Sequence, residues 1–345
     1  LVLCALRAMD PPGADRLAHL RRAFDDFKDA NGVPKNPTPL TKYLGCCYEW
    51  APDRSWCRVS QPRAIESVLE HLDFDSGCRS ALTPAVPNTM VHSDPAPGPH
   101  TGDADAAAFM KDKNFRGIVG ELLWIARNTR PDIAHAVNSL ARVAHDPKPA
   151  HWRALQHLGR YLGSTKSHAL ELRREGPDPG VVVYTDADYA PKYGTAFDNY
   201  RSTSGYVGYF GRSAISWRSR RQQVMATSSA ESEYYAAAAA AKEAVRLRGL
   251  YSTLYSISKP ATLRIDNKSA LQQAMDPVSL DASKHIDLRA HFLRERARDR
   301  VVLPEYVDTT TNWADGMTKS QPVSTFLRFA NEVCVTAAPS PPRSD

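Results

Sequence analysis

Apolar positions along this chain change their spacing several times, and the changes divide it. In residues 1–83 both periods occur: Leu17, Leu20 and Phe24 share a helical face over 16–27, and the runs 43–50 and 56–60 flank the turn-forming Ala51-Pro52-Asp53 as a hairpin. Pro62 then opens a helix in which Ile65, Val68, Leu69 and Leu72 recur every 3.6 residues. Five prolines between Pro84 and Gly102, with little aliphatic content, mark 84–104 as a linker. Residues 105–172 read as helices: Ile118, Leu122 and Ile125 on one face, Ile133, Val137 and Leu140 after Pro131, and Trp152, Leu155 and Leu162 in a third. Gly176-Pro177-Asp178-Pro179-Gly180 ends that pattern, and a domain boundary is placed there.

Beyond the break the spacing predicts strands at 181–184, 205–210 and 214–217, the last two joined by Gly211-Arg212-Ser213 as a hairpin turn. A long helix over 228–251 follows, with Ala236 to Ala241 at its centre. A strand at 262–265, a helix over 267–275, a strand at 301–306 and a last helix from Trp313 complete the series. Three strands followed by strand–helix alternation predict an α/β domain with a mixed five-stranded sheet over 180–330. The Pro- and Ser-rich tail, 337–345, is expected to be disordered.

Composition narrows the function classes. The 345 residues suit two domains, and 42% hydrophobic content is enough for cores. No apolar run approaches the roughly 18 residues that span a bilayer, so no membrane partner is expected. The six cysteines lie at no metal-ligand spacing and read as reduced and structural. No signal segment is legible, and a net charge of +6 is compatible with nucleic acid.

Four acids stand out by position. Asp186 ends the first strand of the second domain and Asp266 the fourth, and ligand sites of open α/β sheets gather at the carboxyl ends of strands. Glu231 and Glu233 lie about 200° apart around their helix, so only one can face the sheet. Steps of three and four from Glu233 reach Ala237, Ala240, Ala244, Leu247 and Tyr251, an apolar stripe, whereas Ser228-x-x-Glu231 fits a capping box. Asp315, in Asn312-Trp313-Ala314-Asp315, is the fourth. Singly, Asp186 and Asp266 suit turns or caps and Asp315 a first helical turn; Glu233 on an apolar stripe needs a partner. Jointly, four inward carboxylates would hold two Mg²⁺ about 4 Å apart, the arrangement of metal-dependent nucleases.

At these residues the chain resembles the Pol polyprotein of copia-type LTR retrotransposons, specifically its RNase H domain. The blocks that carry the resemblance are Tyr184-Thr-Asp-Ala-Asp-Tyr-Ala190, Arg201-Ser-Thr-Ser-Gly-Tyr-Val207, Ile215-Ser-Trp-Arg218, Ser228-Ser-Ala-Glu-Ser-Glu-Tyr234, Asp266-Asn-Lys-Ser-Ala270, Lys284-His-Ile-Asp-Leu-Arg289 and Ala314-Asp-Gly-Met-Thr-Lys319. Upstream, Tyr43-Leu-Gly45, Leu82-Thr-Pro84, Gly117-Ile-Val-Gly-Glu-Leu-Leu123, Thr129-Arg-Pro-Asp-Ile133, His151-Trp-Arg153 and Arg160-Tyr-Leu162 resemble the region joining reverse transcriptase to RNase H.

The resemblance implies an RNase H-like sheet with flanking helices over 180–330, preceded by a reverse-transcriptase palm/thumb remnant over 1–83 and a helical connection over 105–172. It implies hydrolysis of the RNA strand of RNA–DNA hybrids with Mg²⁺, Mn²⁺ substituting, and with Asp186, Glu233, Asp266 and Asp315 as ligands. Arg218, Arg220 and Arg221 become candidates for phosphate contact, with a solvated basic turn as the alternative, and Asn267 and Ser269 further substrate contacts. The implied partners are the hybrid and the remainder of Pol, in a cytoplasmic particle or the nucleus.

Three departures qualify that expectation. No Tyr-x-Asp-Asp polymerase motif occurs, so the chain reads as a Pol fragment without polymerase activity. The segment from Glu305 to Asn312 lacks the histidine that many cellular RNase H enzymes carry, and His285 beside Asp287 reads as structural or exposed. Gly316, replacing a large apolar residue, is expected to loosen the helix that carries Asp315. Two rival readings remain at this point: a non-catalytic nucleic-acid-binding remnant, and a DNA-cutting transposase or integrase of the same fold class.

Overall fold

The computed structural model describes residues 41–53, 55–74, 80–87, 103–173, 180–189, 201–255, 259–275 and 288–333. The expected helix over 16–27, most of the Pro-rich 84–104 segment, His285 with its neighbours 284–287 and the 337–345 tail lie outside these residues. Among the described residues no helix is long and apolar enough to cross a membrane.

The first half holds a four-stranded antiparallel sheet of β1 (Lys42–Tyr43), β2 (Cys46–Trp50), β3 (Trp56–Ser60) and β4 (Leu170–Arg173), in that order. The predicted hairpin pairs Tyr48 with Val59 and Trp50 with Cys57. Asp53 closes its turn by accepting from the Ser55 N–H at 3.0 Å and hydroxyl at 2.7 Å. Strand β4 departs from the expectation that 105–172 is helical throughout. Leu170 and Leu172 are buried and alternate with Glu171 and Arg173, a period of two too short to stand out, and β4 gains its place by pairing with the distant β3. Arg58 and Glu171, cross-strand partners, meet at 3.0 Å.

Helices α1 (Pro62–His71), α2 (Asp103–Met110), α3 (Phe115–Asn128), α4 (Ala134–Arg142) and α5 (Pro149–Ser164) lie between β3 and β4 in the chain and pack on one another, with a 3-10 turn, Pro131–Ile133, leading into α4. Of the residues that defined their apolar faces, Ile65, Val68, Leu122, Ile125, Val137 and Leu155 are among those buried, and Leu69 is half-buried against the same core. Deeper still lies a charge the hydrophobic pattern does not mark. Arg130 is wholly buried; its Nε donates to Asp132 Oδ1 at 2.9 Å, Nη2 to Asp132 Oδ2 at 2.7 Å and Nη1 to the Thr165 carbonyl at 3.0 Å. The Tyr161 hydroxyl completes the carboxylate at 2.7 Å. Burial alone would push the Asp132 carboxyl up, but the Arg130 guanidinium and the Tyr161 hydrogen bond outweigh it and hold the group below its ordinary value.

The second half is the expected mixed sheet: β5 (Val181–Asp188), β6 (Thr203–Phe210), β7 (Ser213–Arg221), β8 (Ala261–Ile265) and β9 (Val302–Tyr306), ordered β7-β6-β5-β8-β9. β5, β6 and β7 run antiparallel, while β5, β8 and β9 are parallel. Pro304 is tolerated because β9 is an edge. Helix α6 (Ser229–Tyr255) lies across β5, β6 and β8 and buries the whole predicted stripe, Ala237, Ala240, Ala244, Leu247 and Tyr251. Helices α7 (Lys268–Met275) and α8 (Leu288–Arg298) pack beside it.

After β9 the single predicted helix resolves into two elements, a 3-10 helix over Trp313–Met317 and then α9 (Val323–Val333). Their junction corrects the reading of Gly316. A Cβ at 316 would come within 2.6 Å of the Phe329 ring of α9, so the missing side chain admits a packing contact instead of loosening the turn.

The two halves meet over a continuous core. Trp217 Nε1 donates to the Ala126 carbonyl at 2.7 Å, Arg142 Nη2 to Thr203 Oγ1 at 2.9 Å, and Tyr161 meets Phe326 edge to face with ring centres 5.5 Å apart.

Candidate active site

Strand geometry brings the first two acids together. β5 and β8 are adjacent and parallel, with Thr185 paired to Ile265, so Asp186 and Asp266 emerge side by side. On β5's other flank Asp186 is paired with Gly205 of β6. A Cβ at Gly205 would lie 2.5 Å from Met317 Cβ, so only glycine lets the 3-10 helix press onto β6 beside Asp186. The first turns of α6 supply Glu233. One oxygen from each of Asp186, Glu233 and Asp266 lies within 4.8 Å of the others.

Asp315 stands beside this trio. Gln321 Nε2 donates to its Oδ2 at 2.8 Å, and the Lys319 ammonium, one helical turn on, pairs with it. The Thr318 hydroxyl donates to Asp186. Asn312 ties the turn to the sheet: its Nδ2 donates to the Thr185 carbonyl at 3.0 Å while its Oδ1 accepts from the Ala314 N–H at 3.2 Å. None of Asn312, Thr318, Lys319 or Gln321 had been singled out as a site residue. The only signal was the spacing of Lys319 four residues after Asp315 in a block already noted.

Glu231 and Glu233 divide their work as the helix arithmetic predicts. Glu231 Oε2 accepts from the Thr227 N–H at 2.6 Å, the Glu231 N–H donates to Ser228 Oγ at 3.1 Å, and Tyr235 donates to Glu231 Oε1 at 2.9 Å. Glu233 is buried, receives the Ala187 N–H, and leaves Oε2 with no hydrogen-bond partner.

The electrostatics follow from crowding. Burial, then the charges of Asp315 and Asp266, push Asp186 up to about 7, against the pull of Thr318 and Lys319. Burial, Asp186 and Asp266 push Glu233 up to about 10. Asp266 and the neighbouring Asp188 are raised too, each chiefly by burial. Carboxylates this close cannot all ionise unless a cation lies between them. The residues fit one: the donors are all oxygen, the choice of a hard divalent ion, and the orphaned Glu233 Oε2 is an acceptor awaiting a partner.

The basic candidates lie elsewhere. Arg218 and Arg220 are exposed on edge strand β7 and, with Arg221, Lys242 and Arg246, line a cavity of about 470 Å³ against α6. A second cavity of about 600 Å³ shares Arg218 and Arg220 and continues to Arg127 of α3. Asn267 Oδ1 caps α7 by accepting from the Ala270 N–H at 2.9 Å, which leaves only its amide donors, and Ser269 is exposed in the first turn of α7.

A mixed sheet in this order, with acids converging from its first strand, its long helix and its fourth strand, is an RNase H-like fold. No protein-family model matches the chain. Over 321 residues, 93% of its length, it is 33% identical to the retrovirus-related Pol polyprotein from transposon RE1 of Arabidopsis thaliana, covering 20% of that protein. Over 268 residues, 78% of its length, it is 32% identical to the corresponding polyprotein from transposon TNT 1-94 of Nicotiana tabacum, covering 19% of it. The chain belongs to the Pol polyproteins of copia-type retrotransposons. It spans about a fifth of the length of these curated relatives. Among solved structures, the N-terminal RNase H domain of a Mycobacterium tuberculosis protein, fused to maltose binding protein, is similar at 15% identity and a TM-score of 0.27, covering 44% of this chain and 96% of that one.

Proposed function

We propose that the chain cleaves the RNA strand of RNA–DNA hybrids endonucleolytically, as the RNase H portion of a longer Pol polyprotein. Asp186, Glu233, Asp266 and Asp315 would hold the divalent cations, two Mg²⁺ with Mn²⁺ as a substitute. The observation that carries this reading is the crowding of three carboxylate oxygens within 4.8 Å, one of them from Glu233, whose Oε2 is buried without a donor. Mg²⁺ bound there would supply Lewis-acid activation of the attacking water and charge stabilisation at the leaving oxygen.

The chain's own residues do the rest. Lys319 and Gln321 hold Asp315, Thr318 holds Asp186, and water as nucleophile leaves no covalent intermediate on the protein. Arg218, Arg220 and Arg221 supply cations for the phosphodiester backbone, and the Asn267 amide and Ser269 hydroxyl lie one and three residues past Asp266, within reach of the same strand. Selectivity for the hybrid follows from minor-groove shape and 2′-hydroxyl contacts. The remainder of the polyprotein is the expected partner.

The test is cleavage of a labelled hybrid with and without Mg²⁺, beside Asp186→Asn and single- and double-stranded controls. Metal-dependent loss of RNA from the hybrid alone, abolished by Asp186→Asn, supports the reading. Inert but folded protein that binds the hybrid would make the chain a binding remnant, and cleavage of duplex DNA would make it a DNA-cutting relative.

A further inference from the structure

We propose that helix α4, from the half preceding the RNase H-like sheet, is a positioning element for the fourth carboxylate: His135 holds the carbonyl of Met317 and thereby fixes the turn that aims Asp315 at the other three acids. The inference rests on the hydrolase reading for its catalytic consequence and on contacts alone for its structural one.

Met317 is fully buried and ends the five-residue 3-10 helix on which Asp315 lies. The last carbonyls of a short helix lack intrahelical donors, and in the interior they need a partner from elsewhere. His135 provides it with a ring N–H. Its Nδ1 is buried without a partner, which assigns the donating proton to Nε2. Burial and the nearby Arg142 keep this ring neutral, so the tautomer is constant.

The same helix makes a second contact at that end of the sheet. Arg142 lies seven residues, about two turns, beyond His135 and so on nearly the same face. Its bond to Thr203 engages the strand partner of Asp188, the last residue of β5, and its charge opposes the upward push on the Asp188 carboxyl. Ala136, Val137 and Leu140 bury the opposite face and anchor the helix. The turn bearing Asp315 is thus held on three sides: by β6 at Gly205, by α9 at Phe329 and by α4 at His135. Two of these supports belong to the RNase H-like half, and the third does not.

The experiment compares the unaltered 345-residue chain, His135→Leu, which removes the donor, and His135→Gln, whose Nε2 can donate to the same carbonyl. Three quantities are read: kcat and KM on the hybrid, the Mg²⁺ concentration giving half-maximal thermal stabilisation, and amide exchange over 312–319 against α6. For His135→Leu we expect kcat to fall roughly 10- to 100-fold with KM unchanged, the Mg²⁺ midpoint to rise by a similar factor, and exchange to quicken over 312–319 only. His135→Gln should return all three toward wild type. A Leu variant with wild-type midpoint and exchange overturns the proposal. If wild type cleaves nothing, the hydrolase reading falls, while the metal and exchange data still decide this one. Should His135→Leu not fold, His135→Asn, polar but too short to reach the carbonyl, replaces it with the same expectations.

Discussion

Each half of this molecule buries a cluster of charge, and the two clusters are built on opposite principles. In the first half Asp132 faces Arg130, which is hydrogen-bonded along its whole fork, and the carboxyl is held below its ordinary value. In the second half Asp186, Glu233 and Asp266 face one another, and all three are pushed up. A buried acid with an internal cation is complete and serves the fold. A crowded group of acids whose one cation, Lys319, is paired with Asp315 costs stability, and a bound cation would relieve that cost.

The comparison is sharpened most by Asp186→Asn. Hybrid cleavage should fall at least about 10³-fold, some 4 kcal/mol of barrier, because a charge that fixes the site is gone. The same substitution relieves repulsion, so the metal-free variant should melt a few °C above wild type at pH 8. A variant that melts lower would break the comparison, since Asp186 would then be part of the fold's support. Asp132→Ala should do the reverse. It leaves the Arg130 charge buried without its carboxylate, with only Thr165 still accepting from it among the bonds described, and denaturant titration should record a loss of about 3–5 kcal/mol.

These clusters were unequally legible in the sequence. Glu233 could be told from Glu231 because 3.6-residue arithmetic set it on a stripe of alanines, and that stripe is buried from Ala237 to Tyr251. Asp266 followed from a strand end that a local run marks well, whereas Asp186, expected at the end of its strand, lies two residues inside β5, which runs on to Asp188 along β6. Arg130 was not marked, because nothing local distinguishes an arginine that will be buried; the Tyr161 ring it faces and the Thr165 hydroxyl it bonds arrive from α5 and its C-cap. Strand β4 and the 3-10 form of the Asp315 turn were hidden for the same reason. Each is decided by a tertiary neighbour, β3 in one case and β6 with Phe329 in the other.

Smaller in effect, pH should separate the clusters by sign. The folded-state pKa of Asp186 and of Glu233 is raised, so their protonated forms suit the fold: that contribution is full below about 4 and is lost as pH climbs through about 7 for Asp186 and about 10 for Glu233. Asp132 is lowered, so its contribution is present at neutral pH and is lost as pH falls below about 4. The melting-temperature gap between metal-free Asp186→Asn and wild type should therefore widen by a few °C from pH 5 to pH 8 and close when saturating Mg²⁺ is added. A gap that ignores both pH and Mg²⁺ would mean that the carboxylates find their counter-charge within the chain.

The smallest effect comes from the acid beside the cluster. Glu231 is only two residues from Glu233, yet its oxygens are taken up by Thr227 and Tyr235, and those bonds lower its carboxyl despite partial burial. It belongs with Asp132 as a satisfied acid. Glu231→Ala should cost about 1 kcal/mol of stability through the lost cap, with hybrid cleavage within about twofold of wild type at a temperature where both are folded. If cleavage instead drops with the cap, the start of α6 is not rigid enough to hold Glu233 without it, and the boundary between residues that serve the fold and residues that serve the site runs through that first turn.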